Sequence, residues 1–478
     1  MTSPDSRLRG PAIALALSLL LAACASPPPA TPPADTVPLQ WQASLPHGGS
    51  TAALADWWQR FDDPLLPQLV AQAQLRNPTL AQAAARITQA RASARIAGAA
   101  LSPQLNANAG VQRSSTQLPP TPGQQTAGSA TLDASWEIDL FGYNRQNRAA
   151  AEARAAGADA QWHNARVSLA AEVANAYVGL RACEAALAVY QQDAKSAGQT
   201  SDLTARLVQA GFQAPANGAL ARATAAEASN RVLAQQAECD VLVKQIAALV
   251  VEPEPSLRSQ LAAAQARLPQ PQGFEVPAVP AQVLAQRPDV AAAERELAAA
   301  SADVGAAQAD RLPRLSLTGS IGRAAVRAGG NTFNGDTWSF GPGLLAPLID
   351  GGRRSAAVEA AQARYEEAVA GWRAQVLAAA REVEEALVRL QAAQQREEDA
   401  RRASAGYAEF LAAAQTQFQV GTGSLLDLEQ ARRNALVADA SLVQVRRERV
   451  AAWLALYKAV GGGWQPVLAT ANTTREVN

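Results

Sequence analysis

Histidine, cysteine and large aromatic side chains are scarce in this chain of 478 residues. It contains two histidines and three cysteines, and aromatic residues make up 5% of the sequence. Metal centres and acid–base catalysis need clusters of such groups, so we expect no metal, no cofactor and no enzymatic activity. His47 and His163 stand apart from any catalytic motif, and the sequence has no phosphate-binding loop ending in Gly-Lys-Ser or Gly-Lys-Thr.

An excess of one charge is also missing, because 42 lysines and arginines balance 42 aspartates and glutamates. A neutral chain offers no basic field for nucleic acid, and we expect no nucleic-acid partner. Hydrophobic residues make up 48% of the chain, and alanine recurs in long runs among them. Small side chains of this kind favour closely packed helices over the bulky core of a globular enzyme.

The N-terminal residues have the pattern of a bacterial export signal. Arg7 and Arg9 precede an apolar run that ends in small residues before Cys24. This pattern predicts a signal peptide over residues 1–23, which is too short for a membrane span. The tetrad that ends at Cys24 resembles the lipoprotein box, in which the thiol is acylated; the alternative is an ordinary signal peptide cut nearby. Residues 24–50 are rich in proline and are predicted to be a lipidated tether.

The rest of the sequence resembles itself at an offset of about 210 residues. Trp162 aligns with Trp372, and Gly211 aligns with Gly421. Self-similarity over such a length indicates a duplicated structural unit, and each half reads as a short helix, two strands, a long helix, a turn and a helix.

The duplication sets the predicted domain boundaries. We expect a first structural repeat over residues 51–270, a second over residues 271–465 and a C-terminal tail over residues 466–478. The short helix of each repeat is predicted to begin at Pro78 or Pro288, because proline is tolerated in the first turn of a helix.

Four strands are predicted from hydrophobicity that alternates with period two, so that each strand has an apolar and a polar face. The segments between paired strands, residues 112–130 and 323–336, are rich in turn-forming residues and are predicted to be loops. The apolar positions are Leu105, Ala107, Ala109 and Val111; Leu132, Ala134, Trp136, Ile138 and Leu140; Leu315, Leu317 and Ile321; and Trp338, Phe340, Leu344 and Ala346.

An apolar face opposite a polar face with carboxylates is typical of a transmembrane barrel around a watery lumen. A soluble antiparallel sheet with one face on a core is the alternative, and the export signal with its lipid anchor favours the barrel. Four strands cannot close a barrel, because closure takes about eight. We therefore predict a barrel that is shared between chains, to which three copies would supply about twelve strands.

Long stretches without proline, residues 143–214 and 348–465, predict long helices. A helix over Arg145–Val208 would span roughly 95 Å. Apolar residues at alternating spacings of four and three form a heptad stripe, so these helices are predicted to pair as coiled coils that reverse at Gly211 and Gly421. The stripes contain Trp162, Leu169, Val173, Ala176, Leu180, Cys183, Leu187 and Tyr190 in the first half and Tyr365, Val369, Trp372, Val376, Ala379, Val383, Ala386 and Leu390 in the second.

Cys183 and Cys239 are predicted to form a disulfide. Their mean position is Gly211, so an antiparallel hairpin that turns there places them at the same height. Both cysteines lie on apolar stripes, and the periplasm is oxidising. The alternative is a pair of buried thiols that act as small hydrophobic side chains.

Motifs along the whole sequence point to one family. They are Trp57-Trp58, Phe61 and Asp63-Pro64-Leu65; Trp136-Glu137-Ile138-Asp139-Leu140-Phe141-Gly142; Pro347-Leu348-Ile349-Asp350-Gly351-Gly352; Val420-Gly421-Thr422-Gly423 with Asp427; and Leu456-Tyr457-Lys458 before Gly461-Gly462-Gly463-Trp464. In this order they resemble the TolC family of outer-membrane channel proteins, in particular its NodT-like lipoprotein branch, which serves resistance-nodulation-division efflux pumps. The resemblance covers residues 24 to about 465.

This resemblance implies a mainly α fold with a transmembrane β part. Long coiled-coil helices would form a periplasmic α-barrel, and four strands per chain would join a homotrimeric β-barrel in outer-membrane lipid. A mixed belt would include the region of Trp57, residues 253–285 and the tail. The implied function is a passive conduit for drugs or toxic small molecules in a tripartite efflux pump, with a periplasmic adaptor (membrane fusion) protein and an inner-membrane transporter as partners.

The resemblance also assigns roles to the hairpin tips. The adaptor would dock near Ala210-Gly211-Phe212 and Val420-Gly421-Thr422-Gly423, and the tunnel would narrow at acidic rings just above them. Asp427 matches one acidic position, whereas Gln430 stands at a second position where relatives often carry an acid. Asp427 can equally be a carboxylate in the first turn of a helix, where it complements the helix dipole.

Two other functions stay open at this point. The channel could serve protein secretion by an ABC exporter of the type I system, although the lipoprotein start favours efflux. A stand-alone porin is a further alternative, but it has no use for the long helices. A channel wall of Asn, Ser, Thr and carboxylates does not identify the transported compound.

Overall fold

The computed structural model describes residues 30–31, 41–43, 57–116, 123–262, 267–271, 273 and 280–464. The predicted signal peptide, Cys24, most of the tether and the C-terminal tail lie outside the described residues. Lipidation of Cys24 therefore stays a prediction.

Nine α-helices and four strands follow one another within the described residues. In the first half they are α1 Leu65–Arg76, α2 Pro78–Ala99, β1 Gln104–Thr116, β2 Gly123–Ile138, α3 Tyr143–Gln209, α4 Pro215–Val250 and α5 Glu254–Leu261. In the second half they are α6 Pro280–Leu284, α7 Pro288–Ala309, β3 Arg314–Ala328, β4 Asn331–Leu345, α8 Arg353–Gln419 and α9 Leu425–Ala459.

The helices bear out the predicted order of elements in each half. The short helices α2 and α7 begin at Pro78 and Pro288 as predicted. The long helices α3 and α8 each contain 67 residues. Helices α1, α5 and α6 lie outside the predicted elements. In α1 the buried Leu66, Leu69, Val70 and Ala73 lie on one face of a short amphipathic helix. None of the described helices has an apolar stretch long enough to cross a bilayer.

The four strands form one antiparallel sheet in the order β1-β2-β3-β4. Residues directly opposite each other lie on the same face, so the register shows which side chains belong together. Ile321 lies opposite Leu132 and Trp338 on an apolar face, and Asp133 lies opposite Asn106 on the polar face. The sheet therefore has the two predicted faces, and in the single chain the apolar face is exposed, with Trp338 at 80%.

The prediction of loops over residues 112–130 and 323–336 is wrong for most of their length. Gly128 lies inside the first predicted loop but pairs with Val111 of β1, and in the second predicted loop only Gly329 and Gly330 separate β3 from β4. Both of these glycines have positive φ, 58° and 85°, as a two-residue type I′ turn requires. Pairing along the whole ladder outweighs the weak strand propensity of Gly, Ser and Asn. At the other end of the sheet, Leu140 and Ala346 lie just beyond the strands.

The chain divides into two compact units, and each takes segments from both halves. The first contains Met1–Pro33, Arg86–Ala158 and Ala292–Trp372, and thus the sheet. The second contains Ala34–Ala85, Asp159–Ala291 and Arg373–Asn478. Its α8 segment confirms the predicted stripe, because Val376, Ala379, Val383, Ala386 and Leu390 are all at most 2% exposed.

Aromatic side chains form the centre of the main core of the second unit. The Trp57 ring stacks on Tyr457 at 5.2 Å and meets Phe61 edge-on at 4.9 Å. Such pairs contribute about 0.5–1.5 kcal/mol beyond the burial of area. Burial raises the pKa of Tyr457 to about 12, so this phenol is neutral at physiological pH. Leu257 and Val283 belong to the same core, so two parts of the predicted belt meet here.

Candidate functional site at the hairpin tips

The two hairpin turns have the same backbone hydrogen bonds. The Phe212 amide donates to the Leu207 carbonyl at 2.8 Å, and the Thr422 amide donates to the Gln417 carbonyl at 2.9 Å. Gly211 has φ +79° and Gly421 has φ +78°. Each long helix therefore ends in a turn of the Schellman type, with glycine in the left-handed conformation that closes it.

Glycine is needed at the tips for two different reasons. A Cβ atom at Gly421 would have nothing within 4 Å, so only its positive φ favours glycine there. A Cβ atom at Gly423 would lie 3.0 Å from the Cβ atom of Gln417 and 3.2 Å from the Phe418 nitrogen. Gly423 therefore permits a close approach of the turn to α8, whereas the space around Gly421 is open.

Apolar side chains project from both tips. Phe212 is 78% exposed at the first tip and Val420 is 68% exposed at the second. Ala210 and Thr422 are also exposed, and the Thr422 hydroxyl donates to the Gln417 carbonyl at 3.2 Å. Exposed apolar groups on an ordered turn are suited to contact with a partner protein.

A hydrophobic cluster lies under the tips and joins all four long hairpin helices. It contains Leu203 of α3, Ala221 of α4, Leu411, Ala414 and Phe418 of α8, and Leu425, Leu428 and Ala431 of α9. Because one cluster contacts all four helices, the two turns are presented together on a packed base.

Asp427 and Gln430 lie on the first turns of α9. The Asp427 amide donates to Ser424 Oγ at 3.1 Å, and the Ser424 hydroxyl donates to Asp427 Oδ2 at 2.6 Å, which is a reciprocal helix cap. Gln430 is exposed and donates to Asn434 Oδ1 at 3.0 Å. This cap supports the role of Asp427 as a first-turn carboxylate that complements the helix dipole. A tunnel constriction at Asp427 and Gln430 stays a prediction.

A buried polar group near the tips has no signature in the sequence. Glu429 and Arg432 are 6% and 5% exposed and form an ion pair on α9. The Arg432 guanidinium also donates to Thr200 Oγ1 at 2.8 Å and Ser196 Oγ at 3.2 Å on α3. We call these four residues the tip clasp. Acidic and basic residues three apart occur on many exposed helix faces, so their spacing gave no signal of burial.

The predicted disulfide is present farther along the first hairpin. Cys183 and Cys239 are joined with an S–S distance of 2.12 Å and a Cα–Cα distance of 5.6 Å. Gln235 lies beside the bond and donates to the Cys183 carbonyl at 3.3 Å. The bond ties α3 to α4 at equal distances along the chain from Gly211.

Comparison with known proteins gives consistent results along the whole chain. The family model described as outer membrane efflux protein matches residues 69–250 and 279–462. The pyoverdine export outer membrane protein OpmQ of Pseudomonas putida is 34% identical, over 94% of this chain and 97% of its own length. Outer membrane protein OprJ of Pseudomonas aeruginosa is 32% identical, over 94% of this chain and 95% of its own length.

A solved structure shows the same fold. The open state of the Neisseria gonorrhoeae MtrE outer membrane channel aligns with a TM-score of 0.78 and 26% identity, over 93% of this chain and 99% of that one. The proteins compared here are named for channels and export rather than for enzymes. With one match of the family model in each half and long, balanced alignments to such proteins, the chain belongs to the outer membrane efflux protein family.

Proposed function

We propose that three copies of this chain form a passive conduit that a periplasmic adaptor and an inner-membrane transporter supply with drugs or toxic small molecules. Family membership makes the protein an efflux channel component of the outer membrane. The relatives give no support for a protein-secretion channel or a stand-alone porin. The trimer, the partners and the class of compound are the steps that the proposal adds.

The proposal rests on the sheet, which has one apolar face and one polar face. Its apolar face is unpartnered in the single chain, with Phe340 72% and Leu344 70% exposed. On the polar face Asp133 accepts hydrogen bonds from Asn108 at 2.6 Å and Thr131 at 3.0 Å. An apolar side toward lipid and a hydrated side toward a lumen are what a transmembrane barrel requires of each strand.

The adaptor is proposed to contact the two tips. The exposed Phe212 and Val420 side chains supply apolar contact area, and the cluster beneath them keeps the turns ordered. A partner that covers these side chains gains about 25 cal/mol for each Å² of apolar surface removed from water. A charge introduced at such a contact would have to be desolvated on binding, which opposes docking.

Substitution of Gly421 tests the proposed docking surface. We expect Gly421→Asp to abolish compound export while the protein still inserts, trimerises and resists heat as well as Gly421→Asn does, because both side chains impose a similar strain on the left-handed turn. Asp and Asn tolerate the left-handed conformation better than other residues with side chains, so Gly421→Asn is the matched neutral control and should retain more export. The two measurements are compound export by cells that carry each variant and the heat resistance of each purified trimer.

A second variant separates a folding defect from a docking defect. Gly423→Ala places a methyl group against Gln417 and should lower the heat resistance of the trimer. If Gly421→Asp exports compounds normally, or if its trimer falls apart as readily as that of Gly423→Ala, the docking role assigned to this tip is wrong.

A further inference from the structure

The apolar face of the sheet changes its chemistry along the strands. Successive rows on this face lie two residues apart on each strand. From the helix-bearing end they are Ile138, Leu315 and Leu344; Trp136, Leu317 and Pro342; Leu105, Ala134, Gly319 and Phe340; Ala107, Leu132, Ile321 and Trp338; Ala109, Ala130, Arg323 and Asp336; Val111, Gly128, Ala325 and Asn334; and Arg113, Thr126, Arg327 and Thr332. The face is apolar for four rows and then carries arginine.

The apolar rows cover part of the thickness of a membrane. At about 3.4 Å per residue, the rows from Leu315 to Ile321 cover about 20 Å of strand. Strands of outer-membrane barrels are tilted by about 35–45°, so this length covers about 15 Å of an outward apolar band that is about 25 Å tall. Arg323 is the first charged residue beyond these rows, and Arg327 stands about 14 Å farther along the strand. Trp338 occupies the last apolar row, as expected of an aromatic residue at a membrane interface.

Arg113, Arg323 and Arg327 form what we call the outward arginine patch. All three side chains are exposed in the single chain. Asp336 is the one carboxylate on this face of the four described strands, and its contact with Arg323 is 3.9 Å between groups that are 88% and 71% exposed. Three arginines against one carboxylate leave this end of the face with a net positive charge.

The connections place this patch away from the helices. Helices α2, α3, α7 and α8 all adjoin the opposite end of the strands, whereas Gly329 and Gly330 turn the chain beside the patch. If the helices lie in the periplasm, as the proposed function requires, the patch lies at the outer surface of the membrane.

We propose that the outward arginine patch binds the phosphate groups of the phosphorylated glycolipid in the outer leaflet. The inference rests on the proposed function, because that function sets the orientation of the sheet. A guanidinium group binds phosphate through two parallel hydrogen bonds and remains charged at every physiological pH. The acyl chains of the same lipid would cover the apolar rows below, so one ligand satisfies both parts of the face.

Lipid binding by the full-length channel in detergent tests the proposal. The probes are bisphosphorylated lipid A and the same lipid A after removal of its phosphates, with retention measured by native mass spectrometry. We expect the wild type to prefer the phosphorylated form by at least about tenfold, because each arginine near an anionic lipid surface adds to the attraction. The triple variant Arg113→Gln, Arg323→Gln and Arg327→Gln should lose that preference.

A matched control keeps the change in charge but moves it to α8. The control variant carries Arg381→Gln, Arg389→Gln and Arg401→Gln, whose side chains are 65%, 69% and 57% exposed. It should retain the preference of the wild type. Equal binding by the triple variant, equal loss in the control, or equal retention of phosphatidylglycerol by the wild type would each overturn the proposal.

Failure of this site can be distinguished from failure of the proposed function. A wild type that inserts and exports compounds but shows no preference for phosphorylated lipid A overturns the lipid site alone. A wild type that neither inserts in the outer membrane nor exports overturns the function on which the orientation rests.

Discussion

At the residue scale, the duplication has preserved one hydrogen bond through two different side chains. Asn77 Nδ2 donates to the Leu249 carbonyl at 2.9 Å, and Arg287 Nη1 donates to the Ala459 carbonyl at 2.8 Å. In both cases the acceptor lies 172 residues after the donor. Each bond ties the start of a short helix to the end of the returning helix of its own half.

The charged member of this pair needs additional partners because it is buried. Arg287 is 4% exposed, and its Nη2 atom lies 2.5 Å from Asp289 and 2.8 Å from Glu382. Burial by itself would raise the pKa of Asp289, but the bonds and charge of Arg287 outweigh it and lower that pKa. Asp289 thus stays ionised and neutralises Arg287; the amide of Asn77 requires no such compensation.

Val251 and Gly461 occupy equivalent positions in the two halves of the chain, and we expect substitutions at these positions to have opposite effects on stability. Both have positive φ, 53° and 88°, although Val251 is β-branched. We expect Val251→Gly to raise the free energy of unfolding by about 1 kcal/mol, because the strain that it removes exceeds the entropy that glycine adds to the unfolded chain. The thermal midpoint of the purified protein is the measurement.

The control for this prediction is the reverse change at the equivalent position. A Cβ atom at Gly461 would lie 2.1 Å from the Gln286 carbonyl oxygen, so Gly461→Val should strongly lower the thermal midpoint. A lower midpoint in Val251→Gly would show that valine at this helix end is not strained.

At the scale of elements, the sequence predicts the hairpins better than the strands. Proline-free stretches and the glycines at 211 and 421 set the ends of the long helices to within a few residues. The strands were predicted too short, because Gly128 and its neighbours have no strand propensity of their own and pair only through the adjoining strand. The sequence does not predict the tip clasp, because burial of Arg432 depends on packing against α3, which no local pattern reveals.

The disulfide links two such elements, and its removal should weaken the first hairpin. The chain-entropy account gives about 4 kcal/mol for a loop of 56 residues, and an antiparallel helix pair already restricts that loop, so the expected loss is smaller. We expect the double variant Cys183→Ser, Cys239→Ser to have a lower thermal midpoint than the wild type. Reductant should lower the midpoint of the wild type and leave that of the double variant unchanged. Alkylation of both thiols in unfolded, unreduced wild type would contradict the bond.

At the scale of the whole molecule, the sheet is incomplete in one chain. Within the described residues β1 and β4 each have a single neighbouring strand, so each leaves one edge without ladder partners. Open edges of 13 and 15 residues recruit further strands. Because β1 and β4 run in opposite directions, β4 of one copy can pair with β1 of the next as an antiparallel ladder.

Cross-linking between these edges tests the proposed trimer. We expect a chain with Asn106→Cys on β1 and one cysteine, scanned along residues 331–345 of β4, to give covalent products of two and three chains at the positions that face each other. An edge that pairs with a different edge is a heterologous contact, which closes into a ring of fixed size when the rotation between copies permits it and otherwise extends into a filament. Chains with only one of the two cysteines are the control and should not cross-link. Products that end at two chains would indicate a symmetric dimer, and products longer than three would indicate a larger ring or an open filament, so either result would contradict the trimer.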